Sequence, residues 1–572
     1  MVASAPQEPD RRPITAPDDT TPATIKPPRP AATVVVVRDA PLGIELLLLR
    51  RAERGDLNSG AWVFPGGLVD AADRTAQPYC RGLDGSAADT RLGVAAHALD
   101  YWVAAVRECF EEAGLLFARG RDGEPLEIDA ARAARLQAWR GPLQRGEQSL
   151  AALCHEEGLT LAVDELAYLS HWVTPPGRAK RFDTRFFIAR APRGQQASHD
   201  ADELVEQLWI TPAAALTRSE PLKLMTPTQK TLEAIAAFPD VDALLAWARS
   251  ERSVPLIQPQ IGSGRQGVRP VTPDEPAYAE LRRLDPECRG HLSYEIHPAI
   301  PVRLSPRVIR VTAHNGSVMT GPGTNSYLVG GGPRNEWAVI DPGPAEAVHI
   351  DAILAAAPGP IRRIFATHTH LDHSPGCALL KQRTGAAVHG RIADHPEWQD
   401  GSFAPDVHLR GGERFVLDDG VTLSVLHTPG HASNHLCYRL EEEKTLFTGD
   451  HVMQLSTVVI NPPDGDMAAY LASLRALCGE DLDWLAPGHG FLMAQPRAAF
   501  EKIIAHRLQR EAKVLAALAQ LGRSDEAALL AAVYADVPVR MHPMALRSLR
   551  AHLHKLQTEG RVHAGDGAWA LA

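Results

Sequence analysis

The stretch "ATHTHLDHS" (366–374) follows the apolar run "IRRIF" (361–365) and places three histidines and one aspartate within six positions. Histidines packed this closely repel one another when protonated and waste apolar burial when neutral, so something must collect them. The run IRRIF has the composition of a short buried strand, and a strand end is a rigid place from which to project side chains. The alternation H-x-H-x-D-H aims His368 and His370 at one metal ion, and Asp372 with His373 at a second. Zn2+ accepts both imidazole nitrogen and carboxylate oxygen. Neither ion is complete with these residues, so further ligands are expected at strand ends downstream. "LSVLHTPGHASNH" (423–435) offers His431, "KTLFTGDHV" (444–452) offers Asp450, and "LDWLAPGHG" (482–490) offers His489. A glycine beside each of them permits a sharp turn.

This constellation resembles the metallo-β-lactamase fold family, whose motifs are HxHxDH, a later histidine, a bridging aspartate and a final histidine. The agreement runs over residues 307–490. The resemblance implies an αββα sandwich in which His368, His370 and His431 hold one zinc. Asp372, His373 and His489 would hold the other, with Asp450 bridging. An aspartate rather than a cysteine at 450 implies the glyoxalase II and nuclease side of the family, away from β-lactam hydrolysis. Two zinc ions are the expected cofactors, with iron or manganese as alternatives. Two cations roughly 3.5–4 Å apart acidify a shared water and neutralise charge on an attacked carbonyl or phosphorus. Asp372 is the catalytic candidate, orienting that water besides binding metal. The ligand set is then full, so His314, His427, His435 and His451 are read as supporting or packing residues. Asp341, ending "AVID", is read as part of a supporting turn.

"SVMTGPGTNSYLVG" (317–330) and the helical tail resemble the lactamase-beta-like protein 2 family, which adds a small C-terminal winged-helix-like domain. That likeness implies either an endoribonuclease acting on single-stranded RNA or, as in related bacterial proteins, a thioester hydrolase. The tail carries Lys502, Arg507, Arg510, Lys513, Arg523, Arg540, Arg547, Arg550, Lys555 and Arg561. These residues suit a phosphate-contacting face. They equally suit a solvated face that frames the zinc cleft, and aromatic residues able to stack bases are scarce there.

A second chemical centre lies upstream. "AWVFPGGLVDAAD" (61–73) is followed by "AVRECFEEAGLL" (105–116), in which Glu108, Glu111 and Glu112 stand at i, i+3 and i+4 on one helix face. Three like charges there call for a cation, and hard oxygen donors suit Mg2+ or Mn2+ arriving with a substrate's phosphates. Gly66 and Gly67 allow a tight loop before the helix. The pattern resembles an interrupted Nudix box, with Asp73 where that family usually has glutamate. An insertion of this kind occurs in the peroxisomal coenzyme A diphosphatase group, which "HWVTPPGRAKRFDTRFFIAR" (171–190) also resembles. The likeness covers roughly 31–240 and implies an α/β/α sandwich. Glu111 and Glu112 would bind metal, Glu108 would bind metal or act as base, and Arg107 would buttress the loop through Asp73. An acidic surface helix and a Nudix fold that binds nucleotide without cleaving it are the alternatives.

A chain of 572 residues is too long for one core, and its 45% apolar and 22% charged residues are ordinary for globular domains. A net charge of -10 argues against a surface that grips nucleic acid throughout. Seven cysteines without CxxC spacing suggest reduced thiols in a cytoplasm. No apolar run is long enough for a membrane helix. The proline-rich N-terminus mixes both signs of charge, unlike a signal or transit peptide. The expected α/β multidomain order is a disordered tail (1–30), a Nudix domain (31–252), a linker or arm (253–306), a metallo-β-lactamase domain (307–495) and a winged-helix-like domain (496–572). The expected substrates are a small thioester and a nucleotide diphosphate, two bonds found together in acyl-coenzyme A. RNA at the zinc site is an alternative, as is a Nudix domain that only senses nucleotides; the oligomeric state is open.

Overall fold

"TVVVV" and "ELLLL" lie at the centre of strands β1 (Arg29–Ala40) and β2 (Gly43–Arg51), and their unbroken apolar character fits a sheet covered on both faces. The computed structural model describes residues 26–53, 59–200, 204–395, 397–454 and 457–572. The tail expected over 1–30 therefore lies outside the described residues up to position 25. The chain divides into two compact units. One runs up to Ile261 and includes Glu287–Arg289; the other comprises Gly262–Pro286 and Gly290–Ala572.

In the first unit β1 pairs antiparallel with β2 and with the short β3 (Gly66–Leu68). Helix α1 (Leu99–Ala113) follows, then β4 (Ala167–Val173) and β5 (Phe182–Arg190), the latter parallel to β1 from Arg29↔Phe182 to Val37↔Arg190. One sheet face sets Val34, Val36, Leu47 and Phe187 against Trp102, Val106 and Phe110 of α1. The other sets Val35, Leu46, Leu48 and Ile188 against Leu244 and Leu245 of helix α2 (Val241–Arg249). The result is an α/β/α sandwich, as expected for this region. Its loop-to-helix junction is fixed where β3 pairs with β1 at Thr33↔Gly66.

Residues 253–306, read as a linker or arm, carry short elements of their own. Leu256–Ile257 (β6) adds to the first unit beside β4, at Leu256↔His171. Helix α3 (Tyr278–Leu284) belongs to the second unit, where Glu280 pairs with Arg310 in full burial. Elements of two to seven residues leave too little periodicity to be read from sequence.

The second unit stacks two sheets. The first contains β7 (Val308–Thr312), β8 (Asn325–Gly330), β9 (Trp337–Ile340) and β10 (Ile361–Phe365) in neighbouring order. The second contains β11 (Val421–His427), β12 (Leu436–Leu440), β13 (Thr445–Gly449) and β14 (Trp484–Pro487). Tyr327, Ile340 and Phe365 meet Leu423, Tyr438 and Phe447 between them. The outer face of the first sheet packs on Ile350, Ile353 and Leu380. That of the second packs on helix α4 (Met467–Leu477) through Tyr470, Leu471 and Leu474. The result is αββα.

Helix α5 (Pro496–Leu521) joins this sandwich to the C-terminal domain. Phe500 is buried with α4, whereas Val514 and Leu518 enter a separate core with α6 (Glu526–Val533), α7 (His542–Thr558) and the hairpin β15 (Val562–Gly565) and β16 (Ala568–Leu571). Three helices and a terminal hairpin form the winged-helix-like domain expected here. Among the described residues no helix is long and apolar enough to cross a membrane.

Candidate metal centre

Four strands of the sandwich end at one edge, and a ligand follows each. His368 comes three residues after β10, His431 four after β11, Asp450 directly after β13 and His489 two after β14. Two glycines are required by close approach. Gly449 adopts φ +46°, and a Cβ there would stand 2.5 Å from Thr367 Oγ1. A Cβ on Gly488 would stand 2.6 Å from Asp450 Oδ1.

All seven residues singled out by sequence converge. Among the described residues, three sets have donor atoms within 4.8 Å of one another: His368, His370 and His431; His368, His373 and Asp450; and Asp372, His373 and His489. His370 Nδ1 lies 3.0 Å from both His368 Nε2 and His431 Nε2. Asp450 straddles the two groups. Its Oδ1 is 3.3 Å from His373 Nε2 and 3.2 Å from His489 Nε2, while Oδ2 is 3.8 Å from His431 Nε2. Asp372 Oδ2 faces His373 Nε2 at 3.3 Å and His489 Nε2 at 3.4 Å.

This arrangement fits metal. His373 Nε2 and Asp450 Oδ1 are buried without a hydrogen-bond partner, an expensive condition for a protein atom. The inward nitrogens of His368, His370 and His431 crowd together at 3.0 Å, while the far nitrogens of His431, His489 and His373 are fixed from outside. His431 Nδ1 is 2.8 Å from Val459 O, His489 Nδ1 is 3.1 Å from Gly323 O, and His373 Nδ1 is 2.9 Å from Asp341 Oδ2. Metal-ligating histidines are oriented in this way by carbonyls and carboxylates behind them.

Electrostatics agree with the two-set division. Burial, aided by neighbouring histidines, holds His368 well below its ordinary value and His370 at about 3, so both are neutral donors. Burial also disfavours charge on His489, yet Asp450 and Asp372 outweigh it and lift that histidine to about 9. His373 rises too, against burial, through Asp372, Asp450 and Asp341. Protons on that side stand where a cation would displace them.

Several supports stand behind the ligands, some read from the sequence as supporting or packing residues and others, Asn325 among them, missed. Asp341 does more than shape a turn: it accepts from Thr367 N and Thr367 Oγ1 at 2.7 Å, and it orients His373. Asn325 holds the turn carrying His489 by donating to Pro487 O at 3.0 Å and Gly490 O at 2.9 Å. Arg507 of α5 donates to Val458 O, beside the carbonyl that fixes His431. His435 and His451 are fully buried behind the cluster; His435 stacks on His368 and His451 meets Tyr470 edge-on. His427 bonds Ser433 O at 3.1 Å on the exposed side, and His314 is exposed. Nothing but a strand-end aspartate marked Asp341 in the sequence.

In the first unit, the loop after β3 and helix α1 bring Asp73, Arg107, Glu108, Glu111 and Glu112 together. Arg107 Nε donates to Asp73 Oδ1 at 2.7 Å and a terminal nitrogen to Leu68 O at 2.8 Å. Its other terminal nitrogen reaches Glu108 at 2.9 Å and Glu111 at 3.2 Å. Gly66 N donates to Glu112 at 2.8 Å, and a Cβ on Gly67 would collide with Glu108. The three glutamates do not converge as tightly as the histidine cluster, because Arg107 occupies the space between two of them. Glu111 Oε1 is buried and unpartnered, as a site for a hard cation requires. Burial pushes Glu111 up to about 7, with Arg107 opposing and Glu108 reinforcing. In metal-free protein a proton therefore competes for this carboxylate below about pH 7. The affinity for Mn2+, followed by titration calorimetry, is expected to fall from about pH 8 to about pH 6 by up to roughly tenfold per unit. In Glu111→Gln the affinity is expected to be weaker and this pH dependence absent.

Residues 319–489 match the family described as the metallo-beta-lactamase superfamily. Beta-lactamase-like protein 2 homolog of Drosophila melanogaster is 30% identical over 283 residues, spanning 94% of that protein and 47% of this chain. The chain belongs to the metallo-beta-lactamase superfamily. Atrochrysone carboxyl ACP thioesterase AgnL7 of Paecilomyces divaricatus is 31% identical over 284 residues, covering 86% of that protein and 47% of this one. In this superfamily hydrolase, residues 27–135 match the NUDIX domain and 89–230 the NUDT19 Nudix domain. Residues 526–569 match the beta-lactamase associated winged helix domain. Among solved structures, a metallo-beta-lactamase family protein from Thermus thermophilus is 22% identical, covering 47% of this chain and 100% of that one, with a TM-score of 0.40. A NUDIX hydrolase from Alicyclobacillus acidocaldarius is 29% identical, covering 39% of this chain and 97% of that one, with a TM-score of 0.34.

Proposed function

We propose that the histidine cluster hydrolyses an acyl thioester and that the Nudix domain cleaves the diphosphate of a nucleotide such as coenzyme A. The observation that carries the thioester reading is the likeness to an acyl carrier protein thioesterase across 86% of that protein's length. Two zinc ions held by the seven residues, or iron or manganese in their place, would supply an acidified water and neutralise charge on the carbonyl. The chain's own groups do the rest. Asp372 is ionised, since His373 and His489 overcome the effect of its burial, and its side chain keeps 28% exposure towards the cleft. Thr324 Oγ1 donates to it at 3.0 Å and fixes its rotamer. Asp372 is thus placed to orient the attacking water and to receive its proton. In the Nudix domain Glu108 is the base candidate, on the helix face that carries the other carboxylates, and Mg2+ or Mn2+ would be the cation.

RNA cleavage has less support. Of the ten basic residues in the tail, Arg510 and Lys513 pair with Asp536, Arg523 with Asp566, and Arg550 with Glu526. Lys555 and Arg561 pair with Glu511, and Arg507 is buried. Cations neutralised within the fold contribute little to phosphate binding. The reading also places the enzyme in a reducing cytoplasm, in keeping with seven cysteines that all stand as thiols.

A substrate panel tests both halves. Wild-type protein should cleave acyl-coenzyme A or an acylated carrier protein, and should split free coenzyme A or a related nucleotide diphosphate. His370→Ala should abolish only the first activity and Glu111→Gln only the second. Cleavage of a short single-stranded RNA, with every acyl thioester left intact, would overturn the assignment.

A further inference from the structure

The histidine cluster opens beside an unusual pair. Trp398 is 63% exposed and adopts φ +69°, a left-handed conformation that bulky residues avoid. The turn that follows it is stitched to the ligand loop. Gln399 forms a backbone bridge with His370, its Oε1 accepts from Thr369 at 2.6 Å, and its Nε2 donates to Asp464 at 3.0 Å. Asp400 N donates to Thr369 O at 2.6 Å. An exposed indole in a strained conformation, on a turn held to the loop that carries His370, is the pattern of a binding residue.

The winged-helix domain supplies its partner. The Arg547 guanidinium of α7 lies 5.4 Å from the centroid of the Trp398 ring. One turn further on, Ala551 is buried in the cluster containing Leu471 and Leu474 of α4, which fixes this helix face on the metallo-β-lactamase domain. Most basic residues of the tail meet carboxylates. Among the described residues Arg547 meets none, and its guanidinium is held over the indole by a cation–π contact that uses no N–H donor. Apolar side chains stand exposed on the loops that carry the metal-site residues: Leu371, between His370 and Asp372, is 63% exposed, and Val318 and Met319, on the loop leading to the Thr324 that bonds Asp372, are 71% and 40% exposed.

We infer that Trp398 and Arg547 form a carrier subsite at the mouth of the metal cleft, where the guanidinium takes the phosphate of a phosphorylated pantetheine arm and the indole covers its apolar stem. Leu371, Val318 and Met319 then line the path of the acyl chain. The inference rests on the thioester reading and extends it to the phosphate-bearing end of the substrate. It also gives the winged helix a role at the cleft: it carries the anion-binding residue. A phosphorylated pantetheine occurs both in coenzyme A and on acyl carrier proteins, and the subsite reads the part they share.

Binding of 4′-phosphopantetheine and of pantetheine to the full chain, measured by calorimetry, tests this directly. Wild type should prefer the phosphorylated compound by about tenfold, as one charge-assisted contact at a partly exposed site allows. Arg547→Ala should erase that preference, Arg547→Lys should retain part of it, and Trp398→Ala should weaken both compounds by several-fold. In turnover, the ratio of kcat/KM for acyl-coenzyme A over an acyl-N-acetylcysteamine should fall about tenfold in Arg547→Ala. Comparing acyl-coenzyme A with acylated carrier protein identifies the source of the arm. If wild type binds the two pantetheines equally, or binds an oligonucleotide more tightly than 4′-phosphopantetheine, the subsite is overturned. If the Arg547-dependent preference is found but no thioester is cleaved, the subsite stands and the thioester reading fails.

Discussion

Replacing Asp450 with asparagine should reduce the bound transition metal from two equivalents towards one and lower hydrolysis at the cluster by about three orders of magnitude, roughly 4 kcal/mol of barrier. The carboxylate is the element shared by the two ligand sets: Oδ1 faces His373 and His489, and Oδ2 faces His431. An amide keeps the shape but removes the charge and replaces one acceptor with a donor, which must then point at an imidazole nitrogen already fixed from behind. Elemental analysis and kcat/KM should move together, with the circular dichroism spectrum unchanged. A variant that keeps both metals and most of its activity would show that Asp450 does not bridge. The comparison variant Asp372→Asn should behave differently. Among the candidate ligands Asp372 faces His373 and His489 of one set, so its loss should weaken one metal and depress kcat more than metal content.

The sequence carried the ligand set because each ligand follows a strand, and strands announce themselves as apolar runs that end abruptly: IRRIF before His368, LFTG before Asp450, WLAP before His489. The α/β/α character of the first unit was legible for the same reason, in TVVVV and ELLLL. For groups that act at one remove, what each one holds was not legible. Asp341 orients His373 across 32 residues of sequence, and Asn325 grips the His489 turn across 162. Such pairings depend on which strand ends lie side by side, and a periodic pattern says nothing of that. The basic tail was ambiguous because neutralisation is also non-local: Asp536 and Glu511 draw in Arg510, Lys513 and Lys555 only once the helices have packed. Arg547 differed from its neighbours only in space.

Glu280→Ala should be the most damaging substitution outside the metal cluster, costing about 3–5 kcal/mol and lowering the melting temperature of the second unit by about 10 °C. Glu280 and Arg310 are both buried and pair through two hydrogen bonds, of 2.6 and 2.9 Å. Truncating the glutamate strands a guanidinium in the interior and takes from Leu492 N the acceptor it reaches at 2.8 Å. The double replacement Glu280→Met with Arg310→Met should recover most of the loss, since an apolar pair of similar volume avoids both desolvation costs. Metal retention separates two consequences. Arg310 lies near the 487–492 turn, 3.5 Å from Gly490 O, so the single variant should also release metal from the set containing His489 more readily. Stability should return in the double variant while metal release stays faster than in wild type, because Leu492 N and Gly490 O remain without the ion pair. A single variant that melts like wild type would mean that α3 is only laid against the sandwich, and that the segment before residue 307 is the arm its composition suggests.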